Sequence, residues 1–132
     1  MFIYKTKTTM KITKTNHNKF KINKNTGRIT YTIKAHDYVF IGIAQCSNKD
    51  DFDEGKGMRI AHLRAEIGYR RYEAQLTKDF IDTLKTGMEH SLFKEGAASK
   101  MYMTTIQNAS ANLDAQYKRI RKREEQLKRE LL

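Results

Sequence analysis

The residues best suited to chemistry include a cluster of four acids that follows the only cysteine, Cys46. The cluster consists of Asp50, Asp51, Asp53 and Glu54. Carboxylate oxygens suit hard cations, but a calcium loop of the EF-hand type needs ligands at alternate positions and a glutamate twelve residues along. That spacing is absent. The cluster is better explained as a helix N-terminus, with Asp51 and Glu54 as a capping-box analogue. Acids at that position accept hydrogen bonds from free backbone N–H groups and interact favourably with the positive end of the helix dipole. We therefore predict no metal site.

The chain contains no recognisable catalytic set. The four histidines are scattered without zinc-ligand spacing: His17, His36, His62 and His90. Nothing near Cys46 would activate a nucleophile, so we expect a buried structural thiol. Gly55-Lys56-Gly57 lacks the spacing of a Walker loop, and the neighbouring acids disfavour a phosphate at that helix start. We therefore expect a binding protein without a cofactor rather than an enzyme.

Basic residues are the stronger indication of function. Lys and Arg number 26 against 15 acids, and a net charge of +11 attracts phosphate groups. Arginine offers a planar fork for phosphate, and tyrosine offers a ring face for a base. Arg119 and Arg123 lie four apart and so share one helical face. Our candidate ligand-binding residues are Arg64, Arg71, Tyr102, Tyr117, Arg119 and Arg123. The alternatives are a charged surface that serves solubility and a solvated helix flank in which these cations pair with nearby glutamates.

The first part of the chain, residues 1–46, has the period of two that is typical of strands. Phe2, Tyr4, Met10 and Ile12 share one parity, Phe20 and Ile22 continue it, and Ile29, Tyr31, Ile33 and Ala35 form the clearest alternation. Tyr38 to Gln45 is less regular, which predicts a strand covered on both faces. Turn residues separate these segments at Asn16–Asn18, Asn23–Gly27 and His36-Asp37. We predict an antiparallel meander of four or five strands.

The second part, residues 51–132, has helical spacing. Ile60, Leu63, Ile67, Ala74, Ile81, Leu84 and Met88 predict either one helix from about Glu54 to Glu89 or two helices bent near Gly68. Gly87 and Gly96 bracket a connection, and a long, coiled-coil-like helix follows from about Ala97 to Leu132. The prediction is thus an α+β fold in a single domain, residues 1–132, with two or three helices after the meander.

The last helix carries a stripe with a period of seven. Ile106, Leu113, Ile120 and Leu127 predict a coiled-coil seam, although Ser110 and Glu124 interrupt the companion positions. The sheet can cover only part of a helix this long, so we expect a partner subunit to cover the rest of the stripe, which predicts a homo-oligomer of a dimer or higher. Two copies of Arg119 and Arg123 would then lie close together and could hold a diphosphate between them.

Composition also bears on the compartment. A single cysteine fits a reducing cytosol, and no stretch approaches 18 apolar residues, so we expect no membrane span. The first residues lack the order of a secretion signal.

The central stretch resembles small proteins of phages and prophages from low-GC bacteria. Their pattern is a strand that ends in Cys and then D-x-F-D-x-x-x-G-x-x-I-A-x-x-R-A. Here it reads Cys46, Asp50, Phe52, Asp53, Gly57, Ile60, Ala61, Arg64 and Ala65. Among such proteins, the order of sheet and then helices is similar to the first family of Thoeris anti-defence proteins.

That resemblance implies an oligomeric sponge in the cytoplasm of the bacterial host. Such a sponge would sequester a cyclic ADP-ribose isomer or cyclic oligonucleotide, as an immune signal, without cleaving it. The family binds its ligand with arginines of the C-terminal helix, for which Arg119 and Arg123 are the candidates here by position. A nucleic-acid-binding or anti-CRISPR-type phage inhibitor is the alternative, and a coiled-coil adaptor is a third class.

Overall fold

A computed structural model describes residues 18–46, 53–90 and 96–132. It confirms an α+β architecture, in which three antiparallel strands precede two long helices. The elements are β1 (Asn18–Asn23), β2 (Arg28–Ala35), β3 (Tyr38–Gln45), α1 (Glu54–Glu89) and α2 (Ala97–Glu130). The strands lie side by side in the order β1-β2-β3. The predicted strand between Phe2 and Ile12 lies outside the described residues, so a count of four or five strands stays a prediction.

The first turn of the meander is built by an asparagine and a glycine. The Asn23 side-chain oxygen accepts hydrogen bonds from the backbone N–H groups of Asn25 and Thr26, at 3.0 and 3.2 Å. Gly27 has a positive φ of 71°, which favours glycine because it has no Cβ. A Cβ on Gly27 would also lie 2.9 Å from the Cβ of Cys46. These contacts connect β1 to β2 and seat the end of β3 against the turn.

The second turn uses two residues without glycine. His36 and Asp37 have φ angles of 54° and 62°. Two consecutive left-handed residues give the type I′ geometry that matches the right-handed twist of the paired strands. Ala35 therefore pairs directly with Tyr38, and the register of β2 and β3 follows from this turn.

One face of the sheet packs against α1. Tyr31 of β2 lies between Phe20 of β1 and Gly42 of β3, and on this face Ile29, Tyr31, Ile33, Phe40 and Ala44 are buried. The helix contributes Ile60, Ala61, Ala65 and Ile67, all of them buried. A Cβ on Gly42 would lie 1.9 Å from the Ala61 carbonyl oxygen and 2.5 Å from the Ala65 nitrogen. The helix backbone therefore rests directly on the strand at Gly42.

The helix boundaries agree closely with the spacing of apolar residues. α1 continues without interruption through Gly68, which decides between the one-helix and two-helix alternatives. Gly87 belongs to α1 rather than to the connection, and Gly96, with a φ of 93°, precedes α2. Asn18, which we predicted in a turn, is the first residue of β1. None of the described helices contains an apolar stretch suited to crossing a bilayer.

The chain forms two compact units. One contains the residues up to Tyr69 together with Arg121–Leu132, and the other contains Arg70–Ile120. The second unit pairs the last part of α1 with the first part of α2, and a Cβ on Gly87 would lie 3.7 Å from the Tyr102 ring. The prediction of a single domain stays a prediction.

The seven-residue stripe is partly covered by the chain itself. Ile106 and Ile120 are buried, at 8% and 5% exposure, whereas Leu113 and Leu127 are half-buried. Ile106 and Ile120 are thus covered within one chain, and the cover of Leu113 and Leu127 by a partner subunit stays a prediction. A homo-oligomer likewise stays a prediction.

Candidate anion-binding site

The first unit contains a surface cavity of about 520 Å³ between α1 and the end of α2. From α1 it is lined by Arg59, His62, Leu63 and Glu66. From α2 it is lined by Arg123, Gln126, Arg129 and Glu130. A single copy of the chain supplies all of these residues, so the cavity exists without a partner subunit.

Antiparallel packing at helical spacing brings these side chains together. Arg59 and Glu66 lie seven apart on α1, and Arg123 and Glu130 lie seven apart on α2. Seven residues make close to two helical turns, so each pair projects from one face. Arg59 contacts Glu130 and Glu66 contacts Arg123, so the two helices meet at two cross-links of opposite polarity.

The inner cross-link is the more buried of the two. Arg123 donates from Nε to Glu66 Oε1 at 2.9 Å and from Nη1 to Gln126 Oε1 at 3.0 Å. The Glu66 side chain is only 13% exposed and that of Arg123 is 36% exposed. A guanidinium has five N–H groups, so three of those on Arg123 have no partner among the described residues. Arg123 is thus oriented by Glu66 and Gln126 and can still donate to a ligand.

The outer cross-link lies at the rim of the cavity. Arg59 donates from Nε to Glu130 Oε1 at 2.8 Å, and its side chain is 58% exposed. Such an exposed pair contributes about 0–1 kcal/mol to the free energy of unfolding, because water screens the charges. Its effect on a ligand is to hold one arginine close to the opening.

The third arginine gives the cavity its excess of positive charge. Three arginines face two glutamates in the lining. Arg129 is exposed, and its side chain forms no ion pair or hydrogen bond with any described residue. An anion entering the cavity would meet one guanidinium that no carboxylate of the described residues neutralises.

A stack of three rings leads from the sheet to the cavity wall. Phe20 stacks on Tyr31 with ring centroids 4.5 Å apart, and Tyr31 stacks on His62 with centroids 4.8 Å apart. His62 also lies 3.7 Å from Glu66, measured from Nδ1 to Oε2, and its side chain is 45% exposed. The stack fixes the plane of the imidazole ring, which offers a planar surface beside the arginines.

Of the six predicted ligand residues, Arg123 lines this cavity. Four others belong to the second unit: Arg71, Tyr102, Tyr117 and Arg119. Arg71 and Arg119 are exposed, Tyr117 is 39% exposed, and Tyr102 lies beside Gly87. Their roles stay predictions.

Arg64 occupies a different environment. It is 3% exposed and donates from Nη1 to the backbone oxygen of Ile43 at 2.9 Å. Through this contact it links α1 to β3 in the core of the first unit. Its position therefore supports a structural role, and the ligand role predicted for it stays untested.

Sequence reasoning did not select most of the cavity lining. The polar lining residues that were missed as site residues are Arg59, His62, Glu66, Gln126, Arg129 and Glu130. The available signal was the same order of charge on both helices, an arginine followed seven residues later by a glutamate: Arg59 and Glu66 on α1, Arg123 and Glu130 on α2. In an antiparallel pair this order brings opposite charges together.

The acidic cluster contributes a helix cap. Asp53 accepts a hydrogen bond from the Lys56 backbone N–H at 3.0 Å, which is the geometry of an N-cap. The other two aspartates of the cluster, Asp50 and Asp51, lie outside the described residues. Within the described ranges, no three His, Cys, Asp or Glu side chains are grouped to hold a metal ion. Cys46 is buried and forms no disulfide.

Comparison of the chain with protein-family models, curated proteins and solved structures gives no match.

Proposed function

We propose that this protein binds and sequesters an anionic nucleotide in the cavity between α1 and α2, without cleaving it. The observation that carries the proposal is the convergence of Arg59, Arg123 and Arg129 on one cavity that also presents the His62 ring. Charge-assisted hydrogen bonds from arginine suit phosphate oxygens, and a stacked ring suits a nucleobase. Both parts of a nucleotide thus find a complementary group.

The size of the cavity favours a small ligand. Cavities that hold small molecules range over about 300–1,000 Å³, and this one has about 520 Å³. In the proposed complex, Arg129 and the remaining N–H groups of Arg123 bind phosphate oxygens. Glu66 and Glu130 keep their arginines oriented, which reduces the entropy lost on binding.

The kind of nucleotide follows from the resemblance of the central stretch, Cys46 to Ala65, to small phage proteins. We propose a cyclic ADP-ribose isomer or a cyclic oligonucleotide, made as an immune signal in the cytoplasm of the bacterial host. The protein would then be a phage anti-defence protein that lowers the concentration of this signal.

Calorimetry on the full chain tests this function. The ligands are cyclic ADP-ribose isomers and cyclic di- and trinucleotides, with duplex DNA as the comparison. Arg129→Ala and Arg123→Ala should each lower the affinity about 10- to 100-fold, the loss expected for a charge-assisted hydrogen bond. Arg121→Ala is the matched control, because Arg121 is an exposed arginine of α2 outside the cavity. Recovery of unchanged nucleotide after denaturation would establish sequestration. Equal losses for all three variants would contradict the site.

Nucleic-acid binding is the second candidate, and exposed cations near the end of α2 favour it. Arg121, Lys122, Lys128 and Arg129 are all exposed. A polymer that contacts several such cations releases many counterions, so its affinity falls steeply with salt, whereas a small ligand touches few phosphates. Binding to DNA alone, with a steep salt slope and loss in Arg121→Ala, would favour this candidate over nucleotide sequestration.

A further inference from the structure

The second unit exposes an uncharged face that spans both helices. On α1, Leu76, Phe80 and Leu84 follow one another at intervals of four and so line one side of the helix. Leu76 and Phe80 are 43% and 50% exposed, which is high for such large apolar side chains. Burying these side chains would lower the free energy, but in a single chain they remain exposed to water.

A cavity in the same unit continues this face onto α2. It has a volume of about 260 Å³ and is lined by Leu84, Ala98, Met101, Tyr102 and Thr105. Met101 is 71% exposed. Leu84 belongs both to this cavity and to the row of α1, so the protruding Phe80 ring lies one helical turn from the hollow.

The charge distribution distinguishes this region from the rest of the chain. Residues 72–116 contain four lysines and six acids, a net charge of −2, and with the flanking cations Arg70, Arg71, Lys118 and Arg119 the second unit as a whole carries +2 in a chain of +11. Residues 101–113 of α2 contain no charged side chain at all, over a length of about 20 Å. Two copies of a strongly basic chain repel each other at most of their surface, and this region is where that repulsion is weakest.

We propose that this face docks a second copy of the same chain. A symmetric dimer requires one surface to be its own complement. This face meets that requirement, because it carries both a projecting ring, Phe80, and a hollow lined by Met101. A two-fold axis across the face would place the Phe80 ring of each copy in the hollow of the other, and the two helix pairs would form a four-helix bundle.

Other partners fit the face less well. A nucleic acid or an acidic protein gains no attraction from an uncharged surface within a region of net charge −2. A second copy presents the same ring and the same hollow, so it can fill this hollow with its Phe80 and receive this Phe80 in its own.

The test measures the mass of the full chain by sedimentation equilibrium over a wide range of concentrations. The wild-type protein should be a dimer. Phe80→Glu and Met101→Lys should each raise the dissociation constant by roughly 30-fold or more, the effect expected for a central interface residue. Thr86→Glu and Gln107→Lys are the matched controls, because both positions are exposed and each lies six residues from Phe80 or Met101, which turns it about 120° around the helix from that side chain. Circular dichroism establishes that each variant is folded.

Mixing the two variants provides the sharper test. In a mixed dimer, the new glutamate at position 80 of one copy faces the new lysine at position 101 of the other, while the second contact keeps its native Phe80 and Met101. The mixture should therefore form a heterodimer at concentrations where each variant alone is mostly monomeric. The proposal is overturned if the wild-type protein is a monomer, or if Phe80→Glu and Met101→Lys leave the dimer intact. It is also overturned if the two folded variants fail to form a heterodimer when they are mixed.

Discussion

Replacing Gly42 by alanine should show how closely α1 rests on the sheet. The added Cβ would lie 1.9 Å from the Ala61 carbonyl oxygen and 2.5 Å from the Ala65 nitrogen. Both are backbone atoms of α1, so no side-chain rotation can relieve the contact. The helix and β3 have to separate, and the apolar residues between them lose part of their packing.

The size of the effect follows from the distance. The Cβ to oxygen separation must grow by about 1.5 Å to reach ordinary van der Waals contact. A gap of about 0.5–1 Å already removes a quarter to a half of the dispersion attraction between facing atoms. Overpacking typically costs about 1–3 kcal/mol, and rigid backbone neighbours place Gly42→Ala at the upper end, near 3 kcal/mol. For a chain of this length, the melting temperature should fall by about 10 °C.

Thermal unfolding followed by circular dichroism provides the assay, and Gly55→Ala is the matched control. A Cβ on Gly55 would lie 3.6 Å from Arg59 Nη1 and 3.7 Å from Asp53 Oδ1, which is ordinary contact. Because alanine is the better helix former, Gly55→Ala should raise the free energy of unfolding by about 0.5–1 kcal/mol. A melting temperature for Gly42→Ala equal to that of the wild type would refute the close seating of α1 on β3.

Three further predictions concern single side chains. Under the proposed function, Glu66→Gln should raise nucleotide affinity about tenfold, because one negative charge near the bound phosphate is removed while the glutamine oxygen can still accept the Arg123 Nε–H; a lower affinity in calorimetry would contradict this. Arg64→Ala should lower the free energy of unfolding by about 2–4 kcal/mol while folded protein keeps its affinity; an unchanged melting temperature with lost affinity would instead support the ligand role. Asp37→Gly should raise the free energy of unfolding by up to about 1 kcal/mol by relieving a left-handed φ, and a lower guanidinium midpoint would contradict this.

Local patterns predicted the elements well because each depends on neighbouring residues. The alternation from Ile29 to Ala35 reports a strand with one buried face, and the structure buries Ile29, Tyr31 and Ile33. Asn23–Gly27 and His36-Asp37 form the predicted turns. The number of strands rests on residues before Asn18, which the structure does not describe.

The candidate site was harder to predict because it depends on which residues of two distant helices meet. Sequence shows that Arg123 lies on a helix face, but only the contact with Glu66, 57 positions away, places it in a cavity. Arg64 illustrates the opposite case. It lies four residues after Ile60 and three before Ile67, on the buried side of α1, so its spacing already indicated burial. Counting it only as a cation concealed that information.

The two cross-links between α1 and α2 also decide how the helices are aligned along their length. A stripe of apolar residues that repeats every seven positions packs almost equally well after a slip of seven residues, so hydrophobic contact alone leaves several alignments close in energy. A slip of α2 by one repeat in one direction would set Arg59 against Arg123, and a slip in the other would set Glu66 against Glu130. Each misaligned pairing brings like charges together. The two arginines and two glutamates of the cross-links thus favour one alignment of α1 and α2 over the alignments shifted by seven residues. The cavity and the correct alignment depend on the same four side chains.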